Sequence, residues 1–457
     1  MNDHLTNNPV MTGCILIAAL LLLVGTASAA DGPVAAFSGT PASGTVPLMV
    51  NFTDQSTGSP TGWSWFFGDE TYAQPWTNVN ASSGWTGRNS QSTVVMPDGS
   101  IVLMGGVDGT EVILFNDTWR SNNNGATWVE MNTSSGWSKR QGHSAVAMPD
   151  GSIVLTGGQD NSTNWNDTWR STDFGATWTL VNASSGWSKR AFHSSVAMPD
   201  GSIVLMGGYN GGSLELNDTW QSEDYGATWK QVNASSGWLG RDSHTAVAMP
   251  DHSIILMGGF DNSTLFNDTW RSIDFGATWK EMNASSGWTK RWSHSSVAMP
   301  DGSIVLMGGT DDPTYVNEMN DIWRSTDNGA TWKQVNASSG WSKRSGQNSV
   351  AMPDGSIILM GGGDSTTSSN DTWRLQPAGS SQKSPSHAYS TPGTYPVALQ
   401  VFNDAGYNST RKIGYITVTS PVPGTTTQPS GPSPLMDAIL IIAAIAALGG
   451  IGTIRRR

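Results

Sequence analysis

The 457-residue chain contains a single cysteine, Cys14. That excludes an intrachain disulfide, a cysteine-built metal site, and a cysteine nucleophile in the body of the protein. Charge is also scarce, at 13% of residues, and the balance of 24 basic against 36 acidic side chains leaves a net charge of −12. A nucleic-acid-binding surface needs a basic footprint, so that class of partner is excluded. Long apolar runs are missing from the middle of the chain and occur only towards its two ends. Ile15 to Val24, followed by "GTASAAD", predicts a secretory signal peptide over residues 1–29 with cleavage near Ala29, although no Lys or Arg precedes the run. A lipoprotein cysteine would follow the run, whereas Cys14 precedes it; an uncleaved N-terminal anchor is the alternative. At the other end, Ala438 to Ile454 is followed by three arginines, which predicts a transmembrane anchor over 435–454 and a cytoplasmic basic tail over 455–457. The Pro/Thr/Ser-rich stretch 421–434 is expected to be an extended linker. A processed C-terminal sorting signal is the alternative, and both readings place the chain at the cell surface, with its bulk outside.

What the chain has in abundance is glycine and tryptophan, 53 and 22 residues, which favours turn-rich β structure. A unit of about 50 residues occurs in six copies, a period that suggests a propeller. It reads W-x-x-R-x-x-H-S-x-V-A-M-P-D-G-S-I-V-L-M-G-G, a variable loop, N-D-T-W-R-S-x-D-x-G-A-T-W, then N-A-S-S-G. Tryptophans recur in register: Trp85, Trp137, Trp187, Trp238, Trp288 and Trp341 in "SGW", and Trp119, Trp169, Trp220, Trp270, Trp323 and Trp373 in "NDxW". Each unit predicts four short antiparallel strands: "HSSVAM" and "SIVLMGG" joined by a Pro-Asp-Gly turn, then "NDTWRS" and "TWKQVN" joined by a second tight turn.

Gly-Gly closing the second strand, "NDxW" and the leading R-x-x-H resemble a kelch repeat. The turn before the fourth strand resembles an Asp-box, S-x-D-x-G-x-T-W, matched in full by residues 171–178, 222–229, 272–279 and 325–332. Residues 121–128 carry Asn123 in place of the aspartate. Asp-boxes are structural turns in the families that carry them and imply no hydrolysis. Only five "GATW" tryptophans exist, Trp128, Trp178, Trp229, Trp279 and Trp332, and the sixth unit stops at "NDTWRL". "PWTNVNASSGW", from Pro75, matches the missing strand. An N-terminal strand behind Trp76 is therefore expected to complete the sixth blade of a propeller over 73–376, removing an open edge.

Residues 30–72, with "WSWFFGDE", resemble the first half of a PKD domain, an immunoglobulin-like sandwich, with Phe66 and Glu70 departing from its usual W-x-W-D-F-G-D-G. Residues 384–420, with the alternating "TYPVALQVFN", supply the second half. Neither half alone holds enough core, so one sandwich is expected to be interrupted by the propeller. The expected fold is thus all-β: a six-bladed propeller of four-stranded blades inserted in an Ig-like sandwich, with a C-terminal transmembrane helix. Both crossings fall on the Asp-box face, leaving the variable loops between the second and third strands on the opposite face.

Candidate ligand-binding residues lie on that opposite face. Arg88, Arg140, Arg190, Arg241, Arg291 and Arg344 enter the first strand of each unit and, on kelch resemblance, could ring a channel mouth suited to carboxylates or acidic glycans. The alternative is that each pairs with an aspartate of a neighbouring blade. Trp165, Tyr209, Phe260 and Tyr315, in the variable loops, could stack on sugars, or simply pack within their loops. His143, His193, His244 and His294 alternate with Gln91 and Gln347, which favours a hydrogen-bonding role over a metal site. A sialidase-type reading has only Tyr209 with Glu215 to offer, and no catalytic residue, metal or cofactor is assigned. Fifteen N-x-S/T sequons fit an exported glycoprotein. The expected function is a surface-anchored binding or adhesion protein whose partner is an extracellular glycan, peptide or envelope protein, with the membrane contacted through the C-terminal helix. A structural envelope component and a glycan-processing enzyme are the alternatives. The combination resembles PKD-bearing surface proteins of archaea.

Overall fold

The computed structural model describes residues 32–421 apart from 111, 213, 214 and 315, and every regular element among them is a β-strand. The expected signal peptide, anchor and basic tail, and the linker beyond residue 421, lie outside the described residues. Among those described, no helix is long and apolar enough to cross a membrane.

The repeats form six four-stranded antiparallel sheets. The first is Ser92–Val95, Ile101–Val107, Leu114–Ser121 and Val129–Asn132 in order. The sixth takes Ser345–Ala351, Ile357–Gly363 and Thr372–Leu375 from one end of the repeat region and Thr77–Asn80 from the other. Thr77 faces Arg374 and Asn80 faces Thr372, so an edge that the sixth repeat would leave open is paired. First strands of successive sheets adjoin in a closed circuit, the sixth returning to the first.

Burial explains the grading of each repeat. The second strand, "IVLMGGV" in the first sheet, is buried at all seven positions because neighbouring sheets cover both of its faces. The fourth strand lies at the rim and has no buried position. Between sheets the core is shared: Val196, Met198, Val204 and Met206 of the third pack against Trp238, Ile254 and Leu256 of the fourth. Trp238 meets Trp279 edge to face at 6.1 Å, and Trp341 meets Trp76 in the same way at 6.3 Å. Trp76 is thus the rim tryptophan of the sixth sheet. Trp76→Phe is expected to lower stability by about 1–3 kcal/mol, read as a loss in urea midpoint; an unchanged midpoint would show the joining strand to be dispensable.

Both tight turns follow side-chain chemistry. In "STDFGATW", Ser171 Oγ accepts from Gly175 N at 2.9 Å, Asp173 accepts from Thr177 N at 2.8 Å and from Thr177 Oγ1 at 2.6 Å. Asn123 keeps the turn with one polarity reversed, its amide donating to Thr127 Oγ1 at 2.8 Å. The Gly-Gly pair that ends each second strand has a steric cause. Gly105 and Gly106 have φ of 59° and 101°, and a Cβ on Gly105 would stand 2.7 Å from the His143 ring of the next sheet.

Two further sheets draw strands from both ends of the chain. One is Phe37–Thr40, Leu48–Asp54 and Ser386–Tyr389; the other is Ser43–Thr45, Gly406–Thr419, Gly393–Asn403 and Gly62–Phe66. They share a single core in which Phe37, Val50, Phe52 and Trp65 pack with Tyr389, Leu399, Val401 and Ile416. This unit sits on the Pro-Asp-Gly turns of the fifth and sixth repeat sheets. Ser64 Oγ and Gln400 Nε2 donate to Pro353 O at 3.1 and 2.8 Å. Tyr72 donates to Asp301 at 3.0 Å, and Arg324 bridges Asp301 and the Glu70 carbonyl at 2.7 Å each. Burial raises the Glu70 carboxyl to about 7 even though Phe67 N and Gly68 N donate to it.

Candidate functional site

The six arginines occupy one position in six sheets, and the structure places them inside the molecule, at 0–1% exposure. Arg190 shows the pattern. Its Nε donates to Ser188 O at 3.1 Å, Nη1 to Gly207 O at 2.8 Å and to Asp218 at 2.7 Å, and Nη2 to Asp218 at 2.9 Å. The partners of Arg88, Arg140, Arg241, Arg291 and Arg344 are Asp117, Asp167, Asp268, Asp321 and Asp371. These are the "NDxW" aspartates, and each also accepts from the indole two residues on, as Asp218 does from Trp220 Nε1 at 2.7 Å. Burial opposes ionisation of Asp218, but the Arg190 and Trp220 donors outweigh it and its pKa is lowered. An arginine ring facing an acidic ligand is therefore replaced by six buried bidentate pairs, in each of which Nη1 also donates to a glycine carbonyl. The partner aspartate belongs to the same sheet, not to its neighbour, because the arginine reaches past the second strand, at Gly207, to the third.

Two residues beyond each arginine lies a feature that side-chain reasoning missed. Ser90, Gly142, Phe192, Ser243, Ser293 and Gly346 all have left-handed φ, between 49° and 64°. Each donates its N–H to the carbonyl of its predecessor, and Ser90 donates to Gly346 at 2.9 Å, closing a six-membered backbone ring. Serine, glycine and phenylalanine alternate there because only the backbone is used; the constant spacing from arginine was the sole signal. The ring lines one part of a central cavity of about 280 Å³, whose remaining lining comes from the first strands and includes Ser92, Thr93, Ser144, Ser194 and Ser295. No charged Asp, Glu, Lys or Arg lines it.

His143, His193, His244 and His294, with Gln91 and Gln347, form the next tier of this lining. Burial, reinforced by the adjacent arginine, lowers His143 and His244 to about 3 and holds His193 and His294 well below the usual histidine range. They are neutral: His193 Nε2 meets Thr156 Oγ1 at 3.0 Å and His294 Nε2 meets Thr245 Oγ1 at 2.9 Å, Gln347 Nε2 donates to Met307 O at 2.9 Å, and the ring nitrogens of His143 and His244 have no hydrogen-bond partner among the described residues. Among the described residues no group of three or more His, Cys, Asp or Glu side chains could hold a metal ion.

The variable loops place three of the four candidate aromatics at half-buried positions; Tyr315 lies outside the described residues. The Trp165 ring lies 5.2 Å from the Arg140 guanidinium carbon, and the Trp165 carbonyl accepts from Arg190 N, tying the second sheet to the third. Phe260 packs against Trp292 at 5.2 Å. Tyr209 and Glu215 face each other across the strand pair of the third sheet. Nearby, Asp242 is raised to about 7 by burial, with the Glu215 charge adding to the effect. A carboxyl raised in the folded state stabilises below its unfolded pKa and loses that contribution as pH rises through the folded value. Asp242→Asn is therefore expected to raise the thermal midpoint at pH 8 and leave it unchanged below pH ~4; no gain at pH 8 would contradict a buried, uncompensated carboxyl.

Repeated four-stranded all-β sheets, buried Arg–Asp pairs and Gly-Gly strand ends define a repeat propeller scaffold. The family model of the KLHDC2/KLHL20/DRC7 Kelch-repeats domain matches residues 63–237 and 227–402. The chain belongs to the kelch-repeat family. No curated protein matches it.

Proposed function

We propose that the chain is a cell-surface binding or adhesion protein. In this reading a six-bladed kelch propeller over 73–376 is inserted in a PKD-type sandwich formed by 30–72 and 384–420, and presents its variable loops to an extracellular protein, peptide or glycan. The observation that carries the proposal is the contrast between six near-identical sheets and the loops joining their second and third strands, which differ in length and sequence from "QDNSTNW" to "TDDPTYVNEM". Specificity is commonly held in such loops on a rigid scaffold. The sandwich rests on the Pro-Asp-Gly turns, at the opposite end of each first strand from the arginines. With the arginines consumed by aspartates, recognition falls to loop side chains such as Trp165 and Phe260. The N-terminal export signal and C-terminal anchor proposed for 1–29 and 435–454 supply the surface setting.

The test is an array of glycans, peptides and envelope proteins probed with residues 31–420, alongside Trp165→Ala and Phe260→Ala. Binding that falls at least about tenfold in a variant of unchanged thermal midpoint, roughly the 1.4 kcal/mol scale of one contact, supports the loop face. Binding indifferent to both substitutions, or none by the intact chain, would sink it. Self-association with no bound probe would instead favour a structural envelope role.

A further inference from the structure

Fifteen sequons look alike in sequence, but the fold separates them by what the asparagine amide and the +2 hydroxyl already do. In the "NDT" group, Asn116, Asn166, Asn217, Asn267 and Asn370 each donate Nδ2 to the carbonyl of an "SGW" tryptophan at 3.0–3.2 Å. Their +2 threonines, Thr118, Thr168, Thr219, Thr269 and Thr372, are 0% exposed, with each hydroxyl paired to a serine. In the "NAS/NTS" group, Asn80, Asn132, Asn182, Asn233 and Asn283 donate Nδ2 to the Asp-box alanine carbonyl of the next sheet at 2.7–2.9 Å. These ten amides are part of the joints between strands and sheets.

Three others are held differently. Asn51 lies in a strand paired on both sides, and Asn408 in a strand paired with Val401. Asn336 accepts from Ser338 N, while the hydroxyl of that +2 serine accepts from Asn320. Asn51 and Asn408 are exposed, and among the described residues Asn51, Asn408 and Asn336 use only Oδ1, accepting from Ser386 Oγ, Ala35 N and Ser338 N respectively. Of the five sequons whose Nδ2 serves no joint, only Asn161 and Asn262 lie outside a paired strand. Both stand in the "DNST" loops between second and third strands, of the second and fourth sheets, and both are exposed. Asp160 and Asp261 hold the loops in matching turns by accepting from the backbone of the two residues after the asparagine. Asn262 has no hydrogen bond to its side chain among the described residues, and Asn161 Nδ2 has only a 3.5 Å approach to Val112 O.

We propose that in the folded chain Asn161 and Asn262 are the acceptor sites for an N-linked glycan, and that the ten joint-forming asparagines are closed to it. The donor class is a lipid diphosphate-linked oligosaccharide. The bond from sugar C1 to the phosphate oxygen breaks, the lipid diphosphate leaves with the electron pair, C1–Nδ2 forms, and one Nδ2 proton passes to base. That nitrogen must be free of the carbonyl it serves, and the +2 hydroxyl must be reachable. At the ten closed sites both conditions, or the first alone, would require taking apart a joint of the propeller. The two glycans would stand four and two residues from Trp165 and Phe260, flanking the proposed binding face. The inference goes beyond the binding reading and does not rest on it.

The experiment uses the full-length chain made in a host without N-glycosylation. The purified native protein is incubated with the lipid-linked oligosaccharide and a single-subunit transferase that requires only N-x-S/T. Occupancy is mapped by mass spectrometry, and the chain unfolded in urea, then diluted into the same mixture, serves as the comparison. Glycan at Asn161 and Asn262 of the native chain, at least about tenfold above any of the ten closed sites, with those sites opening on unfolding, is the expected result; tenfold corresponds to 1.4 kcal/mol of discrimination. Asn161→Gln/Asn262→Gln, which removes two exposed amides, should abolish native-state incorporation and keep the thermal midpoint. Comparable occupancy at any "NDT" asparagine of the native chain, or no glycan at either loop, would overturn the proposal.

Discussion

Replacing Arg190 with alanine is expected to destabilise the chain by about 3–5 kcal/mol, without any contact to ligand being lost. The guanidinium is fully buried, and its removal leaves Asp218 in the interior with no cation. Gly207 O and Ser188 O also lose their donor. Lysine should not rescue it, because a single ammonium cannot reproduce a bidentate grip on the carboxylate together with bonds to two carbonyls. Arg170 is the internal control. It pairs with Asp150 at the surface, where both side chains keep about a third of their exposure, so Arg170→Ala should cost no more than about 1 kcal/mol. A double-mutant cycle with Asp218→Ala locates the effect: removing both partners should cost less than the sum of the single substitutions, since neither is then left as an unpaired buried charge. Urea midpoints for the unsubstituted chain and these variants decide the matter. An Arg190→Ala midpoint no lower than that of Arg170→Ala would show that the repeated arginine does not hold the sheet together.

Acid unfolding is the second large effect, and it traces to four histidines. His143 and His244 titrate near 3 in the folded chain, and His193 and His294 are lowered as well. Unfolded histidine titrates near 6.5. A folded value below the unfolded one means the unfolded chain takes up protons first, so stability is present above pH ~6.5 and is lost as pH falls towards 3. Each pH unit between the two values is worth about 1.4 kcal/mol per histidine. Glu70 and Asp242, raised to about 7, act in the opposite direction and recover part of the loss. Two carboxyls do not balance four histidines over the same range. Glutamine already fills this position as Gln91 and Gln347, where its amide donates to Met360 O and Met307 O. Changing all four histidines to glutamine should therefore move the acid midpoint down by about one pH unit or more, while stability at pH 8 changes little. A midpoint unmoved by the fourfold change would place the acid sensitivity in the aspartate pairs instead.

The pairing of Thr77–Asn80 with the sixth sheet has a sequence signal, because "PWTNVN" copies "TWKQVN" and the sixth repeat lacks that segment. The Asp-box turns and Pro-Asp-Gly turns are legible for a similar reason: donor and acceptor lie within five residues, so spacing alone brings them together. The arginines were not legible to that depth. A residue present in every repeat is equally compatible with a ring open to a ligand and with a buried pair, and its aspartate lies 28 residues away for Arg190. The backbone ring through Phe192 and Gly346 left almost no trace, since no side-chain identity is required to form it.

By itself, then, the sequence determined the strands, their tight turns, the period of the repeat and the strand missing from its last copy, all products of short-range bonding and hydrophobic alternation. Only the tertiary structure decided which polar groups remain free. Arg190, Asn217 and His193 belong to polar residue types that a sequence reader assigns to surfaces, and each is spent on a partner that folding brings within 3.2 Å. Asn262 carries the same N-x-T pattern as Asn217 and keeps its amide, because Asp261 closes its loop through the backbone of Ser263 and Thr264 and leaves the asparagine exposed. Hydrogen-bond partners are a property of position in space, and a repeat copies residues without stating which of them will meet.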